Sequence, residues 1–266
     1  MGMTPLVVDA TGTVISWRLH DSVCWARIHS AGGANTIVPA LVQELAELVE
    51  GCVAARVPVL VLEGNPARFC FGADLDGVAH GDSDAPSSEA AEPAGLYDLW
   101  LQFTSAPMVV VSHVEGRANA GGVGFVAASD LVVAGPNAQF SLSELLFGLF
   151  PAMVLPFLIR RVGWQQAEAM TLRAGTITVQ RAAAIGLVDE YADNSGALTR
   201  RLVQRISRVP VKSLAAHKEY MRSLGPDLYA ARQRAVEANL RMFRDPMTIQ
   251  RITRFQMEGV PPWESQ

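Results

Sequence analysis

The chain reads as an α/β protein whose last third is helical, and three observations predict this. Short, β-branched apolar runs recur at Pro58–Gly64 (PVLVLEG), from Met108 (MVVVSHVEG) and from Leu131 (LVVAG), each the length of a buried strand. Segments of helical period separate them, and strand–helix–strand at this spacing implies right-handed parallel crossovers. Beyond Pro151 the apolar period is almost wholly helical.

Taken in order, VISWRL and VCWARIH in the first thirty residues are short extended segments parted by the polar pair Asp21–Ser22. From Pro39 the period changes. Leu41, Leu45, Leu48, Val49 and Cys52 recur at helical spacing, and Pro39 suits a first helical turn. The small-residue stretch Ala118–Ser129 reads as a helix. Between His80 and Gly95 the sequence HGDSDAPSSEAAEPAG has no apolar period and reads as a polar loop. The tail divides into helical pieces up to Arg161, Gln165–Leu172, Val179–Ile185 and several after Ser195. The expected division is a core of residues 1–195 and a helical region of residues 196–266. No repeat of fixed period is visible.

At 266 residues, half of them apolar and 18% charged, the chain is an ordinary globular one. A net charge of −4 without a basic run gives no reason to expect nucleic-acid binding. Three scattered cysteines with no CxxC pair fit buried thiols in a reducing compartment, not a disulfide frame or a zinc site. No signal peptide stands at the N-terminus, and no apolar run approaches the roughly 18–20 residues that span a bilayer. A cytoplasmic protein without membrane or metal is the expectation.

Two glycine-bearing turns carry the chemical interest. RFCFGADLDGV (Arg68–Val78) follows the PVLVLEG strand, and HVEGRANAGGVGFVAASD (His113–Asp130) follows the second strand and opens a helix. Glycine there serves a tight turn or lets another molecule approach the backbone. A helix N-terminus adds free N–H groups and roughly half a positive charge. Two such amides aimed at one point form an oxyanion hole, in which a donor contributes about 2.7–4 kcal/mol to acyl chemistry. Gly122, Gly124 and Ala127 also fit G-x-G-x-x-A, with Glu144 twenty residues on. Those glycines do not directly follow the strand, so a dinucleotide site is disfavoured.

FCFGADL and EGRANAGGVGFVAASD resemble the two oxyanion motifs of the crotonase (enoyl-CoA hydratase/isomerase) superfamily. AQFSLSELLFGLFPA resembles the segment after them, and the likeness continues through AGTITVQRAAAIGLVDE into the tail. The resemblance implies a crotonase-like ββα spiral with a C-terminal helical oligomerisation region, assembled as a trimer or a dimer of trimers. Carried over by position, the amides of Ala73 and Gly121 would hold a thioester oxygen. Phe71, Ala73 and Leu75 would line the pantetheine path. Family hydratases place one catalytic glutamate at Gly124 and another at Glu144, and only Glu144 is present here.

GLYDLW, NAGGVGF and FSLSELLFGLFPAMVLPFLIRRVG resemble one subgroup, the dehydratases of polyketide β-branching cassettes. These act on 3-hydroxy-3-methylglutaryl groups held on an acyl carrier protein and give 3-methylglutaconyl thioesters. That implies no cofactor beyond the phosphopantetheine arm of the carrier or of coenzyme A, and an acyl carrier protein as partner. Alternatives are the sister decarboxylase, disfavoured because the loop holding Gly77 and Gly81 offers no lysine, a general enoyl-CoA hydratase, and a silent docking subunit.

With one carboxylate, Glu144 would remove the α proton and then protonate the departing β hydroxyl; the alternative is a helix-start or surface charge. Its neighbours Leu142, Leu145, Leu146 and Phe147 are expected to desolvate it and raise its pKa. Asn119 either hydrogen-bonds substrate or caps its turn. Tyr97 and Trp100, at helical spacing, fit a pocket wall or core. His80 and Arg117 either meet the substrate's distal carboxylate or face solvent, and His113 reads as a core histidine. Arg160, Arg161, Arg200, Arg201 and Arg205 could steer an acidic carrier or simply face solvent.

Overall fold

The structure is a computed structural model and describes residues 9–30, 33–73 and 93–264. Leu75, Gly77, His80 and Gly81 lie outside the described residues. The strands are β1 (Asp9–Thr11), β2 (Ile15–His20), β3 (Val23–Ile28), β4 (Thr36–Ile37), β5 (Val59–Glu63), β6 (Arg68–Cys70) and β7 (Gly72–Ala73). They continue as β8 (Val109–Val114), β9 (Arg117–Asn119), β10 (Leu131–Ala134), β11 (Gln139–Ser141), β12 (Thr176–Thr178) and β13 (Glu190–Tyr191). The α-helices are α1 (Pro39–Ala54), α2 (Pro93–Ser105), α3 (Gly121–Ala128), α4 (Leu155–Val162) and α5 (Trp164–Arg173). After these come α6 (Val179–Ala184), α7 (Ser195–Ile206), α8 (Val211–Leu224), α9 (Leu228–Phe243) and α10 (Pro246–Glu258), and a 3₁₀ turn covers Glu144–Phe147.

The main sheet has the order β1-β2-β3-β5-β8-β10-β13, antiparallel across β1–β3 and parallel from β3 onward. Its middle strand β5 is buried along nearly its whole length, which is why its sequence is a continuous apolar run. Leu60 and Leu62 face the large core containing Tyr97, Trp100, Phe125 and Phe157. Val59 and Val61 face the other way, against Val111, Val133 and Val203 of α7.

A second sheet has the order β12-β11-β9-β6, with β6, β9 and β11 parallel. The chain therefore repeats one pattern three times: a strand of the large sheet, a strand of the small sheet, then helix. β5–β6–α2, β8–β9–α3 and β10–β11–α4 are those units, and together they form the ββα spiral that the resemblance implies.

Several short elements differ from the sequence reading. Residues 117–119 form β9, and the helix begins only at Gly121, because Ala120 turns the chain with φ +49. β12 and β13 interrupt the stretch read as helical, and among the described residues each pairs with one strand, β11 and β10 respectively. Among the described residues no helix is long and apolar enough to cross a membrane.

Candidate active site

The small sheet brings three loops together. β6 runs into β7 through Gly72, whose φ of +89 is the left-handed region open to glycine, and β7 pairs with β4 so that Thr36 faces Gly72 and Ile37 faces Ala73. The second loop leaves β9 at Ala120, where φ +49 and ψ −120 are costly for a residue with a Cβ. That turn presents the Gly121 N–H at the first position of α3, where no carbonyl of the helix itself can accept it.

Gly72 and Gly121 are neighbours. A methyl built on Gly72 would lie 3.4 Å from Gly121 N and 2.9 Å from the Ala120 side chain. One on Gly121 would lie 2.6 Å from Ile37 Cδ1, and one on Gly122 would overlap the Cys70 carbonyl. The Gly-Gly pair is therefore demanded by close approach. Ala73, one residue beyond Gly72, is exposed, and Gly121 is partly so, which leaves both open to a ligand.

Asn119 binds these loops to the third. Its Oδ1 accepts from Ser141 Oγ at 2.7 Å and from Ser143 Oγ at 3.3 Å, and its Nδ2 donates to the Phe71 carbonyl at 3.5 Å. The parallel register that sets Asn119 opposite Ser141 brings them together, and Ala120 N donates to Ser141 O at 2.9 Å. The side chain is thus occupied by protein, holding the Phe71 loop, the α3 turn and the Glu144 loop in one arrangement. Asn119→Ala is expected to cost about 1–3 kcal/mol in thermal unfolding and to lower turnover roughly ten- to a hundredfold, because the loops lose their mutual alignment.

Glu144 opens the 3₁₀ turn directly after Ser143. The residue as a whole is partly accessible, yet Oε2 is buried with no hydrogen-bond partner among the described residues. Burial pushes its pKa up to about 7, against a smaller opposing pull from the backbone amides of Glu144 and Ser143. Such a carboxyl is shared between charged and neutral forms at neutral pH, as an acid that both takes and returns a proton must be.

At Gly124 the structure explains the missing second carboxylate. The six-membered ring of Trp100 occupies the place a side chain at 124 would take. Trp100 is fully buried, edge-on to Phe125 (5.7 Å, 87°) and to Phe157 (5.5 Å, 75°). Its role is to fill the space beside α3, not to line an open pocket. Tyr97 is a correction of the same kind. It is fully buried and its hydroxyl donates to Leu228 O at 2.8 Å, so it ties α2 to α9 and offers no polar group to substrate.

Phe71 is flanked by two guanidiniums, Arg68 at 5.4 Å and Arg117 at 5.3 Å from its ring centre. Arg117 therefore stands beside the first loop. His113 is a satisfied core histidine, with Nδ1 2.8 Å from Glu63 Oε1 and Nε2 2.9 Å from Ser195 Oγ. Of the arginines considered for docking, Arg161 turns inward to Asp189 and the Leu187 carbonyl, whereas Arg200, Arg201 and Arg205 are exposed.

Residues 18–266 match the model of the enoyl-CoA hydratase/isomerase family. The chain is 42% identical over 256 residues to the bacillaene synthase dehydratase PksH of Bacillus subtilis (strain 168), covering 96% of this chain and 98% of that one. It is 29% identical over 230 residues to the 2,3-dehydroadipyl-CoA hydratase of Escherichia coli (strain K12), covering 85% of this chain and 86% of that one. Among solved structures, a polyketide biosynthesis enoyl-CoA hydratase (pksH) from Bacillus subtilis superposes with a TM-score of 0.89 at 42% identity, over 94% of this chain and 99% of that one. An enoyl-CoA hydratase from Bacillus halodurans, at 20% identity, shares the fold with a TM-score of 0.82 over 90% of this chain and 98% of that one. The chain belongs to the enoyl-CoA hydratase/isomerase family, the crotonases, and is an enzyme of the hydro-lyase kind.

Proposed function

We propose that the protein is a dehydratase of polyketide biosynthesis that converts a 3-hydroxy-3-methylglutaryl thioester into a 3-methylglutaconyl thioester. The observation that carries the reading is Glu144, a buried carboxyl whose Oε2 has no hydrogen-bond partner among the described residues and whose pKa burial raises to about 7, while Trp100 takes the place of a side chain at 124. The 42% identity to a bacillaene synthase dehydratase supports the pathway.

The Ala73 and Gly121 amides donate to the thioester oxygen, which stabilises the enolate more than the ground-state carbonyl. Glu144 takes the α proton, and the C–H electron pair moves into the enolate. As the enolate collapses, the C–O bond to the β hydroxyl breaks and Glu144 gives that oxygen the proton it took. One water leaves, one C=C bond forms, and the acid returns to its starting form. No redox step or other cofactor enters this chemistry.

A phosphopantetheine arm reaching the site past Phe71 would pass the Arg68 and Arg117 guanidiniums, which suit its phosphate. An acyl carrier protein is the proposed donor, with the exposed Arg200, Arg201 and Arg205 available to an acidic partner. Trp164, Leu172, Leu224, Met247 and Trp263 are large apolar side chains left exposed on one chain, which suits burial in a trimer or a dimer of trimers.

Mass spectrometry of the carrier-bound 3-hydroxy-3-methylglutaryl thioester tests the reading. Loss of about 18 Da on incubation is expected, since the reaction class fixes what leaves. An unchanged mass, together with loss of carbon dioxide from the 3-methylglutaconyl thioester, would make the protein a decarboxylase instead.

A further inference from the structure

We propose that Arg251, assisted by Thr248, is the specificity determinant that holds the distal carboxylate of the acyl group; the assignment rests on the dicarboxylic substrate proposed above. A carboxylate carried into a partly desolvated site needs a cation, because the charge is costly to bury alone. The acyl chain, anchored by its thioester between Ala73 and Gly121, has to run past the acid that works on it. That acid opens the 3₁₀ turn Glu144–Phe147, which Gly148 closes, and in this assignment the acyl chain follows that turn.

Helix α10 packs on this turn, with the rings of Phe147 and Phe255 edge to face at 5.3 Å. Thr248 and Arg251 lie one turn apart on α10 and so share a face. Both point at Gly148. A methyl built there would lie 2.6 Å from Arg251 Nη1 and 3.4 Å from Thr248 Oγ1. Gly148 has φ +82, so glycine both makes the turn and leaves the guanidinium its place.

Neither polar group is otherwise engaged among the described residues. Thr248 is fully buried, and its Oγ1 has no hydrogen-bond partner. Arg251 is half-buried with no acid paired to it, whereas Arg27, Arg161 and Arg254 are matched by Glu63, Asp189 and Glu258. Among the described residues, Arg68 and Arg117 stack on Phe71 beside the first loop. A guanidinium and an idle hydroxyl side by side form a carboxylate receptor, with Nη and Oγ1 as donors.

The test compares two carrier-bound thioesters, 3-hydroxy-3-methylglutaryl and 3-hydroxy-3-methylbutyryl, which differ only in the distal carboxylate. Arg251→Gln is expected to lower kcat/KM on the glutaryl substrate by about a hundredfold, as loss of a buried charge partner does, but on the butyryl substrate by no more than about threefold. Arg251→Lys should regain part of the glutaryl rate, and Thr248→Val should lose a smaller part of it. Equal losses on both substrates, or no loss on either, overturn the assignment while leaving the dehydratase reading intact. A wild-type enzyme that dehydrates neither thioester overturns both.

Discussion

Glu144→Gln is expected to lower the dehydration rate by about a thousandfold while making the protein more stable at neutral pH. General acid–base catalysis by one positioned group contributes on the order of 10²–10⁴ in rate, and Glu144 is asked to serve in both directions. The stability change has the opposite sign for a physical reason. Burial raises the folded-state pKa from 4.5 to about 7, so the folded protein favours the protonated carboxyl. The associated stability is fully present below pH 4.5 and is lost as pH rises through about 7. Above that, the wild type carries a buried charge that Gln lacks. A gain of about 1–2 kcal/mol in the variant, discounted for partial exposure, should appear in denaturant titrations at pH 8 and vanish at pH 4.

Gly124→Glu is expected to destabilise the fold by at least about 3 kcal/mol and to bring no hydratase activity. The new side chain meets the Trp100 ring, which is itself fixed by Phe125 and Phe157. Overpacking combines with the cost of a carboxylate placed in apolar surroundings. Trp100→Ala alone should cost about 3–5 kcal/mol through the cavity it leaves. Combined, the two substitutions should cost less than their sum, because each relieves the other. Urea denaturation of the single and double variants measures this coupling. Strict additivity would show that the indole does not control position 124.

The parts of the fold legible in the sequence were those whose burial is continuous. β5, β8 and β10 are covered on both faces, so PVLVLEG, MVVVSHV and LVVA announce themselves. The small sheet does not announce itself. β6, β9 and β11 have three residues each, too few for any period, and β9 ends in Ala118 and Asn119, which belong to the small-residue stretch that reads as a helix. The threefold ββα pattern was hidden for the same reason, since it is a repeat of topology without a repeat of sequence spacing.

At the candidate site, the glycine turns and Glu144 could be located by motif. What the motif could not say is that Asn119 is occupied by Ser141 and Ser143, or that Trp100 fills the space over Gly124. Both are contacts between elements distant in sequence. Arg251 is more than a hundred residues from Glu144 and lies on a helix with no local mark of function. Only the packing of α10 on the 3₁₀ turn brings the two regions together.

The pH dependence of kcat/KM for dehydration tests the one-acid mechanism most directly. A single carboxyl used first as base and then as acid predicts one ionisation, near pH 7, with the rate rising to a plateau above it and the ionisation absent from Glu144→Gln. A bell-shaped profile requiring a second enzyme group, or the same ionisation persisting in Glu144→Gln, would contradict it.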